Sequence, residues 1–422
     1  MNKKIGNIFK GDKVIWMVFF FLCMISIVEV FSASSGLTYK SNNFIMPIIK
    51  HSGTILFGLL VAVVTLNIPC RYFKLMTPFL LLLSFVLLIV VLFIGTKANG
   101  AARQLDLAGL SLQPSEIAKG TMILVEAQIL SAMQHENGAD KKAFRYILAL
   151  TIPIAGLIML ENLSTAALLC IVVVLMMIIG RVPMSQVGKL LGVVMAIMLT
   201  VFTLVMAVGH DDSKENPALT KTEKIDKPEK KSTVEKIFHR ADTWKVRIDK
   251  FLSDENVAPN KYDLDKDAQV AHANIAIVSS NIIGKGPGNS VERDFLAQAF
   301  SDFIYAIIIE EMGIIGAVFV VFLYIILLFR AARIASRCEN NFPAFLVMGL
   351  ALLLVTQAIF NMLVAVGFVP VTGQPLPLIS KGGSATIINC AYIGVILSVS
   401  RSAKKTKADE SDTEVKAAVA II

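Results

Sequence analysis

The chain has 422 residues, of which 55% are hydrophobic and only 17% are charged, with a formal net charge of +8. Soluble domains are nearer half apolar and a quarter charged, so this composition excludes an ordinary soluble protein and predicts a polytopic membrane protein. In such a protein a positive net charge reflects basic cytoplasmic loops, and no nucleic-acid partner is expected. The five cysteines avoid the long polar segment of the chain, so no disulfide framework is expected.

Ten apolar stretches long enough to cross a bilayer follow one another along the chain. Seven precede a long polar segment, at about residues 14–31, 45–67, 73–95, 115–133, 144–160, 163–180 and 186–208. Three follow it, at about residues 302–329, 343–368 and 384–400. The predicted fold class is therefore all-α: a polytopic membrane protein with ten transmembrane helices and a large extracytoplasmic loop between helices 7 and 8. No cleavable signal peptide is expected, because the first stretch lacks a small-residue cleavage site.

The orientation is predicted from the Lys and Arg residues of the short loops. These residues precede the first span and follow the second, fourth, sixth, eighth and tenth spans. All of these positions lie on one side of the membrane, so both termini are predicted to be cytoplasmic. The expected organisation is helices 1–7 in residues 1–209, an extracytoplasmic loop in 210–300, helices 8–10 in 301–400 and a cytoplasmic tail in 401–422.

The polar segment between spans seven and eight changes character along its length. It begins with a Lys/Glu/Pro-rich stretch, and residues 234–252 then have an amphipathic pattern that could lie in the membrane interface or pack on the helical bundle. Residues 268–283 are predicted to form a second, re-entrant element. Glycine-rich residues 284–290 follow and lead towards span eight.

Asp302 stands where this segment meets an apolar run, at the mouth of a predicted membrane helix. Carboxylates at or inside a bilayer are costly, so a functional role is the default interpretation. The competing interpretation is that Asp302 only caps the helix. Glu310 and Glu311, deeper in the same run, are interpreted as packing carboxylates paired to neighbours. The five histidines have no metal-ligand spacing, which argues against a histidine zinc site.

Several other ionisable residues lie at the predicted outer ends of spans. Lys50 could bind an anion or merely extend its amine to the interface. Arg103 lies in a polar loop, where it could also be solvated. Glu116 and Lys119, three residues apart on one helical face, could form a structural ion pair. Lys381 lies in a Pro- and Gly-interrupted approach to span ten, and broken backbone at membrane depth is tolerated only where it lines a cavity or is buried. Together these groups would suit an anionic lipid headgroup.

Five motifs resemble a known family in order and spacing over nearly the whole chain. They are GAAR at 100–103, LQPSEIAK at 112–119, GKGPGNS at 284–290, SDFIYAIIIEEMG at 301–313 and PLPLISKGGS at 375–384. This set resembles the SEDS (shape, elongation, division and sporulation) family, of the FtsW/RodA/SpoVE type, whose members are peptidoglycan glycosyltransferases. The resemblance is closest to the FtsW members of Bacteroidetes-like bacteria.

The resemblance implies an enzyme of the bacterial inner membrane that polymerises lipid II into glycan strands during cell division and releases undecaprenyl pyrophosphate. Asp302 falls on the family's expected catalytic position. The expected substrate-binding residues are Lys50, Arg103, Gln113, Glu116, Lys119, Lys381 and Ser384. The leaving pyrophosphate could be neutralised by these cations or by a divalent cation, Mg²⁺ or Mn²⁺, bound with the help of Asp302. No organic cofactor is expected.

The resemblance also implies partners. At some positions, however, this sequence differs from the family's pattern. The expected partners are a class B penicillin-binding protein, an FtsI-like transpeptidase, and other divisome membrane proteins. A His-Thr-Asp usual in the family is Phe300-Ser301-Asp302 here, so no histidine assists the aspartate at that place. The Tyr of its Ser-Tyr-Gly-Gly is Lys381, which adds a charge.

Two other classes of function remain open from the sequence. A flippase for the lipid-linked precursor would need charged groups that reach both membrane faces, whereas the expected site lies on the outer face only. A non-catalytic divisome scaffold would leave Asp302 dispensable.

Overall fold

The computed structural model describes residues 10–38, 46–98, 101–107, 110–136, 138–208, 268–296 and 299–403. Eleven α-helices and five short strands lie within these ranges. The amphipathic pattern at 234–252, the Lys/Glu/Pro-rich stretch and the tail beyond 403 lie outside the described residues. The all-α prediction is confirmed, because the strands are few and short.

The helices follow one another in the order that the apolar stretches predict. The first seven are α1 (Lys13–Thr38), α2 (Met46–Asn67), α3 (Cys70–Ile94), α4 (Pro114–Ala132), α5 (Lys141–Glu161), α6 (Leu163–Ile179) and α7 (Met184–Val208). The last four are α8 (Ala268–Val278), α9 (Ile304–Ser336), α10 (Asn341–Ala365) and α11 (Ser384–Ser402). Each of the ten predicted spans overlaps one of these helices, and α8 begins the predicted re-entrant element. Residues 185–264 form a separate compact unit, of which the structure describes only the part up to residue 208.

Seven helices among the described residues are long and apolar enough to cross a membrane: α1, α2, α3, α5, α9, α10 and α11. The helix α6 has only 17 residues, and α4 carries the charged residues Glu116, Lys119 and Glu126. The chain is thus an integral membrane protein, and the count of ten spans stays a prediction.

Small residues allow some of these helices to approach closely. The helix α11 packs along α2, α9 packs along α10, and α4 packs against both α3 and α10. A Cβ atom on Gly394 of α11 would lie 2.5 Å from the Ala62 carbonyl oxygen of α2, and one on Gly58 would lie 2.7 Å from Cys390 Sγ. Small residues at such interfaces let two backbones come together and gain van der Waals contact without the hydrophobic effect that water would supply.

The segment between α3 and α4, predicted as a loop, forms a small antiparallel sheet. Its strands are β1 (Thr96–Ala98), β2 (Ala101–Leu107) and β3 (Leu110–Leu112), and the central β2 pairs with both neighbours. Asp106 lies opposite Ser111, and an irregularity interrupts the β1–β2 register. Two further strands, β4 (Gln134–His135) and β5 (Gly138–Ala139), join α4 to α5.

The helix α9 is interrupted at Gly313, where the sequence predicts a continuous span. Gly313 has a positive φ of 70°, a conformation that glycine adopts at little cost. The chain from Ile282 to Gly284 lies against this break, and the Ile315 N–H donates to the Ile282 carbonyl oxygen at 3.3 Å. A docked loop therefore supplies hydrogen bonds where the helix's own pattern is interrupted.

The basic loops gather at the end of the bundle far from Asp302. Asp12, just before α1, pairs with Arg330 near the end of α9. Arg401, near the end of α11, donates to Asn67 Oδ1 at 3.3 Å at the end of α2. Asp302 precedes the other end of α9, and the part of α9 that follows the break at Gly313 alone spans roughly 35 Å.

Candidate active site

Asp302 lies in a half-buried turn that leads into α9. Its Oδ1 atom accepts a hydrogen bond from Ser301 Oγ at 3.0 Å. The sequence placed Asp302 at the helix start, but the N-cap residue is Phe303, which makes no side-chain capping bond. Asp302 therefore precedes the N-cap, and the capping interpretation loses the geometry on which it depends.

The backbone of this turn is held by hydrogen bonds to all three of its carbonyl groups, those of residues 300–302. The Asn361 side chain on α10 donates to the Asp302 carbonyl oxygen at 2.9 Å. Ser380 Oγ donates to the carbonyl oxygen of residue 301 at 2.6 Å. The Lys381 N–H donates to the carbonyl oxygen of residue 300 at 3.0 Å. Ser380 and Lys381 belong to the irregular segment between α10 and α11, residues 366–383. This segment and α10 together fix the position of the aspartate.

The same segment brings a lysine to the turn. Lys381 Nζ lies 4.9 Å from the centre of the Phe300 ring, within the range of a cation–π contact. Burial, and then the positive charge of Lys50, lower the pKa of Lys381 below its ordinary value. Lys50 at the start of α2 therefore lies near enough to Lys381 for the two positive charges to repel each other. The side chain of Lys50 itself is exposed.

Gln113 and Ser384 connect this segment to the sheet. The Gln113 N–H donates to Ser384 Oγ at 3.1 Å, and Ser384 is the first residue of α11. Gln113 in turn is the N-cap residue of α4 and follows β3. The structure thus brings together the predicted residues Gln113, Ser384 and Lys381, whose motifs lie more than 260 residues apart. Arg103 lies in β2, but its side chain is outside the described residues.

Glu116 and Lys119 form the ion pair that their spacing predicts. Lys119 Nζ lies 2.7 Å from Glu116 Oε1, and the two side chains are only 0% and 2% exposed. Lys119 Nζ also donates to Gln357 Oε1 of α10 at 2.8 Å. Gln357 Nε2 donates to the Pro375 carbonyl oxygen at 3.0 Å. The pair therefore joins α4 to α10 and to the segment that holds Asp302, which favours a positioning role over direct contact with a ligand.

The glycine-rich motif at 284–290 surrounds the two carboxylates Glu310 and Glu311. Both side chains are fully buried. Glu310 Oε1 lies 2.6 Å from Lys285 Nζ and accepts from the Val291 N–H at 3.1 Å. Glu311 accepts from the N–H of Gly288 at 3.0 Å. The interpretation of Glu310 and Glu311 as packing carboxylates is confirmed by these contacts, because each one binds the loop.

The described residues hold no group of three His, Cys, Asp or Glu side chains placed to bind a metal ion. Magnesium is often held by one or two carboxylates together with substrate phosphates, and such binding needs no cluster. The half-buried carboxylate of Asp302 would supply one ligand of that kind. The site therefore fits a Mg²⁺ or Mn²⁺ ion only when a phosphate-bearing substrate supplies further oxygen ligands.

Two residues that sequence reasoning missed are Gln357 and Asn361. They lie four residues apart on α10, so they share one face of an otherwise strongly apolar helix. Both are almost fully buried, and both bind backbone of the segment that surrounds Asp302. The available signal was the spacing itself, since amides at i and i+4 in a membrane helix need partners inside the bundle.

Residues 12–405 match the sequence model of the family FTSW_RODA_SPOVE, described as "Cell cycle protein". The chain belongs to the FtsW/RodA/SpoVE family. A probable peptidoglycan glycosyltransferase FtsW from Halomonas elongata is 30% identical over 397 residues, which cover 92% of this chain and 90% of the relative. The corresponding protein of Coxiella burnetii is 29% identical, with 91% and 95% covered. The peptidoglycan glycosyltransferase MrdB of Escherichia coli is 27% identical, with 82% and 84% covered.

Solved structures also share the fold of this chain. The rod shape determining protein RodA of Thermus thermophilus superposes with a TM-score of 0.62 at 22% identity, covering 95% of this chain and all of that one. A chain from a peptidoglycan synthase complex superposes with a TM-score of 0.68 at 24% identity, covering 93% and 98%. The family assignment made from the motifs is confirmed. Its narrower part, closeness to FtsW of Bacteroidetes-like bacteria, is not supported by these relatives.

Proposed function

We propose that this chain is a peptidoglycan glycosyltransferase that polymerises lipid II into glycan strands during cell division and releases undecaprenyl pyrophosphate. Family membership and the names of its relatives support this activity. The observation that carries the proposal is the turn at Asp302. A half-buried carboxylate stands there on a backbone fixed by three hydrogen bonds, one of them from the backbone N–H of Lys381.

Asp302 is the general base in this proposal. Its carboxylate takes the proton from the acceptor sugar hydroxyl while that oxygen forms a bond to the donor's anomeric carbon. The bond from that carbon to the pyrophosphate oxygen breaks, and its electron pair leaves with the lipid pyrophosphate. Because attack and departure occur on opposite faces, the configuration at the anomeric carbon inverts.

Cations at the same place stabilise the leaving group. Lys381, Lys50 and Arg103 offset the negative charge that develops on the pyrophosphate. If a Mg²⁺ or Mn²⁺ ion binds, Asp302 would be one of its ligands, and the ion would add charge neutralisation of the same kind. Gln113 and Ser384 shape the site from α4 and α11, and the Glu116–Lys119 pair holds the helices that carry it.

The proposed location is the bacterial inner membrane, with both termini and the basic loops in the cytoplasm and Asp302 on the outer side. The domain organisation is the one expected from the sequence, with an extracytoplasmic loop at 210–300. The proposed partner is a class B penicillin-binding protein that crosslinks the new strands, together with other divisome membrane proteins. The fold shared with a chain of a peptidoglycan synthase complex supports such a partnership.

The test is an assay of the purified full-length protein with fluorescently labelled lipid II, with and without its penicillin-binding partner. Polymerisation predicts a ladder of glycan strands on a gel that depends on the protein. A parallel assay in liposomes follows movement of labelled lipid II between leaflets. Movement between leaflets without any ladder would contradict the proposal and establish the flippase alternative.

A further inference from the structure

A cavity of about 860 Å³ opens at the end of the bundle that carries the basic loops. It lies between the α2–α3 junction, the end of α4, the start of α10 and the end of α11. Arg71, Lys74 and Arg401 contribute to its lining. Asp302 lies beyond the opposite end of α9, so this cavity is separate from the candidate active site.

The charges that line this cavity are mostly positive and mostly unneutralised. Arg71, Lys74 and Arg401 form no ion pair with an acidic side chain in the part of the chain that the structure describes. Glu339 is the one carboxylate in the lining, which leaves an excess of two positive charges. An arginine beside a lysine at a helix start is suited to a phosphate, which accepts several charge-assisted hydrogen bonds at once.

Two helices also begin at this cavity. The N-cap residues are Pro69 for α3 and Asn340 for α10, and neither makes a side-chain capping bond. The first N–H groups of a helix have no partner inside the helix, and the helix dipole adds partial positive charge there. Both features favour an anion, and they add to the three side-chain cations.

Beside the cavity, α3 presents a continuous apolar surface. Leu75 and Phe79 are 73% and 65% exposed, in the two turns that follow Arg71. The Arg71 guanidinium lies 4.9 Å from the centre of the Tyr72 ring, and tyrosines are frequent where a helix passes from lipid to headgroups. A ligand with a phosphate and hydrocarbon chains would therefore find both of its parts accommodated.

We propose that this cavity binds the phosphate of an anionic phospholipid headgroup, with the acyl chains along the exposed face of α3. Basic cavities between transmembrane helices on the cytoplasmic side are suited to such headgroups. The site is independent of the glycosyl transfer proposed above. A free phosphate ion offers the same charge without the hydrocarbon chains, so the experiment separates the two sources.

The experiment measures lipid adducts on the detergent-purified full-length protein by native mass spectrometry, with phosphatidylglycerol or phosphatidylcholine added. The test variant is Arg71→Gln with Lys74→Gln. The matched control is Lys141→Gln with Lys142→Gln, since these are two exposed lysines in the first turn of α5 at the same end of the bundle. Arg401 is left intact, because it donates to the Leu66 carbonyl oxygen and helps to end α2.

Wild type and the α5 control are expected to bind phosphatidylglycerol well and phosphatidylcholine poorly. The Arg71/Lys74 variant should bind phosphatidylglycerol at least about tenfold more weakly, because it loses two charge-assisted contacts. Equal weakening in both variants would show non-specific surface attraction and overturn the proposal. Displacement of phosphatidylglycerol by millimolar inorganic phosphate would assign the site to soluble phosphate and overturn it too. If melting temperature falls in the double variant, Lys74→Gln alone is compared with Lys142→Gln.

Discussion

At the scale of single residues, the position of Asp302 depends on groups that never touch a substrate. The carbonyl groups of residues 300–302 all accept hydrogen bonds from α10 or from the segment before α11. The aspartate and its family motif were recognisable from the sequence. The hydrogen-bond donors that hold its backbone were not recognisable, because they lie about 60 to 80 residues further along the chain. Only the fold brings them to the turn.

Asn361 is the support that a mutation tests best. Its Nδ2 donates both to the Asp302 carbonyl oxygen and to the Gln374 carbonyl oxygen, at 2.9 and 2.7 Å. Asn361→Leu, which keeps the size and removes the donor, should lower kcat about 10²-fold, since small misplacements of a catalytic group cost that much. Binding of lipid II should change little. Asn341→Leu, which changes an exposed amide in the first turn of the same helix, is the matched control and should keep its activity. A loss of activity in Asn361→Leu that only follows its melting temperature would show a purely structural role.

Lys381 gives the activity a specific pH dependence. Its pKa is lowered by burial and then by the charge of Lys50, so the ammonium form is lost at lower pH than in an ordinary lysine. If the charged form stabilises the leaving pyrophosphate, polymerisation should decline on the alkaline side. Lys381→Arg should shift that decline to higher pH, because an arginine does not deprotonate in this range. If polymerisation declines at the same alkaline pH in the wild type and in the variant, Lys381 does not supply the charge.

At the scale of elements, the loop at 284–290 and the break in α9 form one unit. The glycine-rich loop and the packing role of Glu310 and Glu311 were predictable, since composition and hydropathy are local properties. The break at Gly313 was not predictable, because its conformation is set by the docking of Ile282–Gly284 from about 30 residues away. The sheet at 96–112 was missed for a similar reason: its seven-residue central strand has two very short partners.

Two glycines of this loop allow the cost of a close contact to be measured apart from the cost of a positive φ. Gly284 and Gly288 both have positive φ, at 80° and 86°. A Cβ on Gly284 would overlap the Glu311 carbonyl oxygen, whereas one on Gly288 would meet nothing within 4 Å. Gly288→Ala should cost about 1–2 kcal/mol for the positive φ alone. Gly284→Ala should cost at least about 2 kcal/mol more, because the loop must move off α9.

Thermal unfolding of the two alanine variants in the same detergent measures this difference. A clearly lower melting temperature for Gly284→Ala supports the docked loop. Equal melting temperatures would contradict the tight contact between the loop and α9.

At the scale of the whole molecule, the two ends of the bundle differ in chemistry. The ten helices that overlap the predicted apolar stretches were predictable, because an apolar stretch is recognised from its own hydropathy. Which helices become neighbours was not, since the contact of α2 with α11 depends on glycines at positions 58 and 394 that have no distinctive local pattern. The basic loops meet at one end of the bundle, and the residues around Asp302 lie at the other.

This polarity predicts a labelling pattern. Asp106→Cys, exposed on β2, should react with an impermeant thiol reagent in intact spheroplasts. Arg333→Cys, exposed in the last turns of α9, should react only after permeabilisation. Both are made in a background in which the exposed Cys170 and the partly exposed Cys70 and Cys338 are serine, so that only the introduced thiol is accessible to the reagent. The reverse pattern would put the candidate site in the cytoplasm.

The catalytic role of Asp302 is the central claim, and polymerisation of lipid II by Asp302→Asn tests it most directly. Asparagine keeps the size of the side chain and can still accept the hydrogen bond from Ser301 Oγ, but it cannot act as the general base. Asp294→Asn, an exposed carboxylate on the preceding turn, is the matched control. We predict that Asp302→Asn keeps its melting temperature and binds lipid II but loses polymerisation by more than about 10²–10⁴-fold, the typical effect of one general base. Strand extension by purified Asp302→Asn near the wild-type rate would contradict the account.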